Sequence, residues 1–439
     1  HPKITLVDNY VQATYKRVVR DNSVSRQKES YDFNVWQRLE VINQLNKLIQ
    51  QTDNVKGAEF VQTKITAQSG FIKRYLEKYP QDYTRFSEDI EKMELVNKVV
   101  GEINSLYSDT LVVSYCFAPF IDTSGVVMSK RIRAMGKPVD IIFNNMDKVR
   151  PIDEKLMTIA NRYLGKRIEL NAPQAFSNWG AMAKFSDLTL LEMGNIIRHR
   201  AVYKEVYSRA MWPASHFAAA AIKMKYPQIK WSAEFSDPLL MDVSGKPRFE
   251  AIDTNWLEQH GFVEAGTGNY VNDNLFYWCE MLPYQFADEL IFTNENQLEY
   301  MLSYADSQWH DVIRQKSVIL PQPTLEKQFY EKSDIELSKK DNEINLAYFG
   351  SFYVNRGFGP FMKAWEELDE IQRNRFKLHI YTQQNAESIL EIVPESLKQL
   401  VVVQPYVGYF EFLKLSNQFD GLIVMDAETA SLKLNNPYL

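Results

Sequence analysis

The stretch NLAYFGSFYVNRGFGPFMKAW, Asn345 to Trp365, decides how the chain is read. An apolar alternation ends at Gly350, a loop follows that holds one cation, Arg356, among Gly350, Gly357 and Gly359, and a helix-type pattern then begins. The glycines let the backbone turn tightly, and the helix points its free N–H groups back at the loop. An arginine beside a helix N-terminus is suited to an anion, because dipole and guanidinium both favour phosphate oxygens, and the anion this pattern points to is a diphosphate. Taken bare, glycines after a strand specify only a turn.

Working outward, the alternation continues to the C-terminus through FKLHIYT, a helix around Ala386–Leu390, LVVVQPY, a helix around Phe410–Ser416 and FDGLIVMD. Upstream, TLVVSYCFAP, VVMSKRIRAMG and PVDIIFNN read as strand, helix, strand, which implies a parallel pair joined by a right-handed crossover. KWSAEFSD and DELIFTN add further strands. The charged segment Leu325–Glu343 follows the turn-prone LPQPT and places a junction near Gln322–Asn342. The expected class is α/β, with a helical region over 1–108 and two Rossmann-like parallel-sheet domains, 109–325 and 326–439, facing a cleft where ligands bind at the strand ends.

The first hundred residues carry helical stripes: Val35, Leu39, Ile42, Leu45 and Ile49, then Ile90, Met93, Val96, Val99 and Val100 behind an expected N-cap at Ser87. Packing on each other or on the next domain is their expected use; peripheral contact with a membrane or a partner protein is the alternative.

A chain of 439 residues exceeds one ordinary core. Its net charge of -6 supplies no general basic field, so polynucleotide is not an expected partner. The two cysteines, Cys116 and Cys279, lie in apolar surroundings without metal-type spacing and read as buried spectators in a reducing compartment. No apolar run approaches the roughly 18–20 residues of a bilayer-spanning helix, and a cytoplasmic protein is expected, at most peripheral at the membrane's inner face. His260 and Glu264 have helical spacing without a second histidine, so no metal is called for. No nucleophile elbow or Walker loop occurs.

Further candidates lie at strand and helix ends. Glu234 and Asp237 close KWSAEFSD at the edge facing the expected cleft, where carboxylates bind hydroxyls or orient a leaving group; the bland reading is a solvated strand residue and an Asp-Pro turn. Ser215 and His216 open a helix with a small run, Ala218–Ala221, and are either a cap and a structural histidine or sugar contacts. Trp256, Tyr277 and Trp278 sit among amides that suit carbohydrate, yet at 13% aromatic content they read first as core.

YFGSFYVNRGFGPFMKAW resembles the first donor-domain loop of retaining GT-B glycosyltransferases of the group 1 or family 4-like, bacterial polysaccharide type. Gly350 and the pair Arg356-Gly357 match that loop, while Ser351 stands where the family has its first basic residue and brings a hydroxyl without charge. YCFAPFIDTSGVVMSKRIRAMGKPVDII resembles the first strand, loop and helix of the acceptor domain, with Ser124-Gly125 where the loop nears sugar and diphosphate. ADELIFTNENQLEYML is similar to the last acceptor-domain strand and helix, and VVVQPYVGYFEFLKLSNQFDGLIVMD to later donor-domain elements, with Gln404, Pro405 and Tyr406 where the base is held by backbone groups. The resemblance covers roughly Asp109 to the C-terminus. It implies transfer of a sugar, with retention, from a nucleoside-diphosphate sugar to a glycan or cell-surface polymer acceptor, with no cofactor and no metal. With that reading Arg356 is assigned to the β-phosphate and Asp237 to the acceptor or reacting sugar, and the resemblance implies a glutamate pair that holds the donor ribose and sugar, with Glu428 near the right place. The pair's remainder is not reached before Leu439, so the chain is expected to be a piece of a longer protein. The alternatives are a GT-B subunit that binds without catalysis and a nucleotide-sugar epimerase of the same fold.

Overall fold

A computed structural model describes residues 30–51, 54–93, 97–198, 203–242, 244–266, 271–339, 342–351 and 358–425. The chain forms two compact units, His1–Ile103 and Asn104–Leu439.

In the first unit a π-helical turn, Asp32–Trp36, leads into α1 (Gln37–Gln50), followed by α2 (Val55–Lys78) and α3 (Tyr83–Ile90); α4 (Asn97–Tyr107) spans the division. Val35, Leu39 and Ile42 are fully buried, as the stripe predicts, whereas Leu45 and Ile49 are only partly so. Ser87 is not an N-cap: α3 starts at Tyr83, after the turn Pro80–Asp82, and Ser87 is buried inside it. The second stripe is accordingly split between α3 and α4. Ile90 and Val100 are buried, Met93 lies in the break, and the Val96 and Val99 side chains fall outside the described residues.

In the second unit the chain runs β1 (Thr110–Val113), α5 (Thr123–Met135), β2 (Val139–Asn144), β3 (Leu164–Leu170), α6 (Trp179–Ile197), β4 (Glu205–Ala210), α7 (Ala214–Lys225) and β5 (Lys230–Phe235). It continues with α8 (Thr254–Gln259), α9 (Leu275–Phe286), β6 (Glu289–Phe292), α10 (Glu295–Tyr304), α11 (His310–Lys316) and β7 (Ser317–Ile319). These seven strands form one parallel sheet in the order β3-β2-β1-β4-β5-β6-β7. Then come β8 (Ile344–Phe349), α12 (Phe358–Glu366), α13 (Glu370–Arg373), β9 (Phe376–Thr382), α14 (Ala386–Leu390), β10 (Val401–Pro405), α15 (Tyr409–Ser416) and β11 (Gly421–Leu422), with a second parallel sheet ordered β10-β9-β8-β11. The protein is therefore α/β with two Rossmann-like parallel-sheet domains. In each sheet the order reverses beside the first strand, between β1 and β4 and between β8 and β11, the place where such sheets leave a crevice at their carboxyl edge.

Both faces of the first sheet are covered, so β1 and β2 are buried at every position and read as continuous apolar runs. The Ala218–Ala221 run lets α7 pack closely, and Trp256 and Trp278 are core. At the opposite edge from the crevice, buried Asp140 accepts from Tyr203 Oη at 2.6 Å, Lys166 N at 2.7 Å and Ser105 Oγ at 3.1 Å. A Cβ on Gly165 would overlap Asp140 Oδ1 and come within 2.9 Å of Ser105 N, whereas one on Gly194 in α6 meets nothing within 4 Å. Gly165→Ala is expected to destabilise by about 1–3 kcal/mol through overpacking, and Gly194→Ala to stabilise by up to about 1 kcal/mol through helix propensity; paired denaturant melts check the opposite signs.

Candidate functional site

The crevice of the first sheet is built on Asp122. As N-cap of α5 its Oδ1 accepts from Ser124 N at 2.8 Å, and the same carboxylate takes Arg150 Nε at 2.8 Å and Trp212 Nε1 at 3.4 Å. One buried side chain thus joins the segments that follow β1, β2 and β4. Ser215 Oγ, accepting from Tyr115 N at 3.0 Å, is a second tie across the same reversal. The sequence reading passed over Asp122, although an aspartate immediately ahead of Thr-Ser-Gly and an apolar run is an N-cap signal.

Ser124 and Gly125 sit just inside this cap. Ser124 Oγ lies 3.4 Å from Arg209 Nη1, and Gly125 is pressed on the chain itself, since a Cβ there would stand 3.2 Å from the Phe117 backbone. Beneath them is a charge cluster. Glu234 receives Arg131 through Nε at 3.1 Å and Nη2 at 3.0 Å, Arg209 Nε at 3.3 Å and the Tyr207 hydroxyl at 2.5 Å. The carboxylate is wholly buried and both oxygens are engaged, so Glu234 is not the open carboxylate expected at the sheet edge. Burial alone would raise its pKa; the Arg209 and Arg131 guanidiniums outweigh that and hold it below the usual range. Arg209 Nη2 also donates to Ser236 Oγ at 3.0 Å, beside exposed Asp237.

His216 lies on the other face of the sheet, fully buried against Trp231 and Phe235, with Nδ1 2.9 Å from Ser208 Oγ. Burial, helped by Arg209, pushes its pKa down to about 3, so the imidazole is neutral and away from the crevice.

The second sheet contributes Gly350, whose φ of 146° only glycine adopts without strain. Its N–H donates to Tyr381 O at 3.1 Å, and the Tyr348 hydroxyl donates to Ser351 O at 2.8 Å, so the exposed Ser351 starts from a fixed strand end. Arg356, Gly357 and Glu428 lie outside the described residues. Gln404 is half-buried in β10, next to β9. Tyr406, half exposed, forms one wall of a cleft of about 100 Å³ with Gly408 and Tyr409. The opposite wall is Asp122, Thr123, Val126, Asp153 and Leu156 with Ile121. The structure therefore brings Tyr406 to the α5 N-terminus, while Asp237, Gly350, Ser351 and Gln404 stand outside that wall. Among the described residues no group of three or more His, Cys, Asp or Glu side chains is set to hold a metal ion, and no helix is long and apolar enough to cross a membrane.

No family model matches the sequence, and no curated protein sequence matches it. Solved structures with a similar chain path include a glycosyltransferase from Rickettsia africae ESF-5, 11% identical, with 73% of each chain covered and a TM-score of 0.43. WaaG, a glycosyltransferase involved in lipopolysaccharide biosynthesis, is 11% identical over 73% of this chain and 75% of that one, at 0.39. UDP-GlcNAc 2-epimerase from Neisseria meningitidis bound to UDP-GlcNAc is 11% identical over 71% and 76%, at 0.37.

Removing one partner of a buried ion pair strands the other, so Glu234→Gln is expected to cost about 3–5 kcal/mol in denaturant unfolding, and Glu234→Gln with Arg131→Met less than the sum of the singles. Lys130, on the α5 face that carries Thr123 and Val126, is partly buried; burial, then Arg209 and Arg131, lower its pKa from 10.5 to about 8. A lysine whose folded pKa is depressed costs stability while charged, below pH 8, and that cost fades as pH rises toward 10.5. Lys130→Met is accordingly expected to raise the melting temperature at pH 7, with the gain shrinking by pH 9.5.

Proposed function

We propose that the protein is a nucleotide-sugar-dependent glycosyltransferase that moves a sugar, with retention, from a nucleoside-diphosphate donor to a glycan or cell-surface polymer acceptor. The observation that supports this reading is the pairing of two parallel sheets, each with a loop at its order reversal, where helix N-termini and cations meet an anionic donor. The α5 end opens into the cleft beside Tyr406, and Gly350 gives the loop that carries Arg356 its start.

In this reading Arg356 neutralises charge growing on the β-phosphate, Gly350, Ser351 and Gly357 let the backbone approach the diphosphate, Gln404 and Tyr406 hold the base, and Glu428 the donor sugar. Ser124 and Gly125 form the acceptor side, and exposed Asp237 meets the acceptor or the reacting sugar. Glu234 and His216, both buried, touch no substrate and position Arg209 and β4. Catalysis rests on fixing donor and acceptor in register and on stabilising the departing diphosphate, so cations and amides matter more than a nucleophile.

Thermal-shift screening of UDP, GDP, CDP and ADP sugars tests the donor, because a ligand at a hundred times its Kd stabilises by about 2.7 kcal/mol. NMR of the product with and without acceptor then gives the anomeric outcome and separates transfer from epimerisation. Arg356→Ala is expected to lose a charged hydrogen bond of about 1.5–3 kcal/mol, lowering kcat/KM roughly ten- to a hundredfold in a folded protein; unchanged kinetics would remove Arg356 from the mechanism.

A further inference from the structure

Helix α2 buries one face and exposes the opposite one. Ile65, Ser69, Ile72 and Leu76, at spacings of four, three and four, are buried within the helical unit. With 3.6 residues per turn, the far side of the helix carries Lys56, Phe60, Phe71, Arg74 and Lys78, with Lys64 at one margin, all exposed. Phe60 is 53% and Phe71 42% accessible. The stripe carries four cations and two aromatic rings and no carboxylate. The two acids of α2, Glu59 and Glu77, lie at the other margin, about 60° around the helix from Lys56 and Arg74.

The cations are arranged around the rings. Lys64 Nζ stands 4.7 Å from the Phe60 centroid and Arg74 Cζ 4.6 Å from that of Phe71, while Arg38 of α1 adds a further guanidinium 4.1 Å over Phe71. Among the described residues Lys56, Lys64 and Arg74 make no ion pair with a carboxylate. Singly exposed phenylalanines need no explanation. Two on one exposed helix side about 30 Å long, each beside a cation that makes no ion pair among the described residues, match the chemistry of a lipid headgroup layer, whose phosphates meet the ammonium and guanidinium groups while the rings reach the acyl boundary.

We propose that this face of α2 docks the protein on an anionic membrane surface, lying along it without crossing. Charge complementarity selects the occupant: the chain as a whole is at -6, so attraction to a negative surface requires a local cationic stripe such as this one. The face is independent of the catalytic reading and stands or falls separately from it.

Sedimentation of the full chain with vesicles tests it. Binding is expected to vesicles containing 30% phosphatidylglycerol and not to phosphatidylcholine alone, and to weaken about tenfold or more between 0.1 and 0.5 M salt as screening shortens. Lys64→Glu with Arg74→Glu is expected to abolish binding. Phe60→Ser with Phe71→Ser is expected to weaken it at least severalfold at both salt concentrations, with circular dichroism melts showing that both variants remain folded. Failure to bind anionic vesicles, equal binding to phosphatidylcholine, or unaltered binding by the folded charge-reversal variant overturns the proposal. So does a polyanion such as RNA competing fully while the serine variant binds vesicles like the parent, since the surface would then be a general cationic one.

Discussion

The Glu234 carboxylate is the constraint on which the second unit depends. It draws Arg131 from α5 and Arg209 and Tyr207 from β4 onto the end of β5, and Arg131 Nη2 reaches further, to Leu320 O and Pro321 O at 3.2 Å. One buried charge therefore sets the lie of a helix, two central strands and the segment that leaves the first sheet. Buried ion pairs return little net stability, because desolvation consumes most of the attraction. Their geometric effect is larger, since any rearrangement leaves a charge unpaired. Here that fixes α5, and α5 carries the cap and the N-terminus that face the cleft.

Burial of most of α5, apart from the face of Thr123, Lys130 and Ala134, follows from the same arrangement. Arg131 points to the sheet, while Arg133 turns toward the connecting segment, where Glu326 accepts from its Nε at 2.7 and 2.8 Å and the Phe329 ring lies 4.6 Å from its Cζ. A helix with two internal arginines reads as amphipathic and half solvated; partners on both flanks are what make it an interior element.

That pairing also explains how far the sequence could be read. The strands at 110, 139, 230, 289, 344, 376 and 401 show as mainly apolar runs because most of their side chains are buried by other apolar groups, and the Asn345–Trp365 stretch located the second sheet for the same reason. Strand β4 escaped because Glu205, Ser208 and Arg209 interrupt it, and the burial of Arg209 is matched by Glu234, 25 residues from it and 103 from Arg131. Edge strand β3 escaped because Lys166 and Arg167 occupy an edge that tolerates charge. Gly350 was legible as a turn at a strand end, and Tyr406 as the residue just past a strand. Asp122 was legible in principle as a cap, but its bonds to Arg150 and Trp212 depend on a topology no local window contains. Glu234 and His216 were chosen for residue type at a strand or helix end, and residue type does not report which way a side chain faces.

The two sheets differ in what holds them. The first buries charge under its carboxyl edge; the second relies on a lighter polar ladder, with His379 Nε2 3.0 Å from Asn345 Oδ1 and Asp420 Oδ2 accepting from Asn345 N at 2.7 Å. The join between them is mainly apolar: Phe410 and Leu413 of α15 belong to the hydrophobic cluster of the first sheet, and Phe410 stacks on Phe329 at 6.4 Å, beside an ion pair of Lys414 Nζ with Glu331 Oε2 at 3.0 Å. The N-terminus of α15 is in turn fixed by Glu411 Oε2 accepting from Gly408 N at 2.8 Å. Because Tyr406, Gly408 and Tyr409 lead directly into this docked helix, the width of the cleft is set by how Phe410 seats. Apolar contact is non-directional and tolerates small rotations that a bidentate ion pair does not. The α5 side is thus held by directional arginine bonds, and the α15 side chiefly by rings, with Lys414 as its ionic tie.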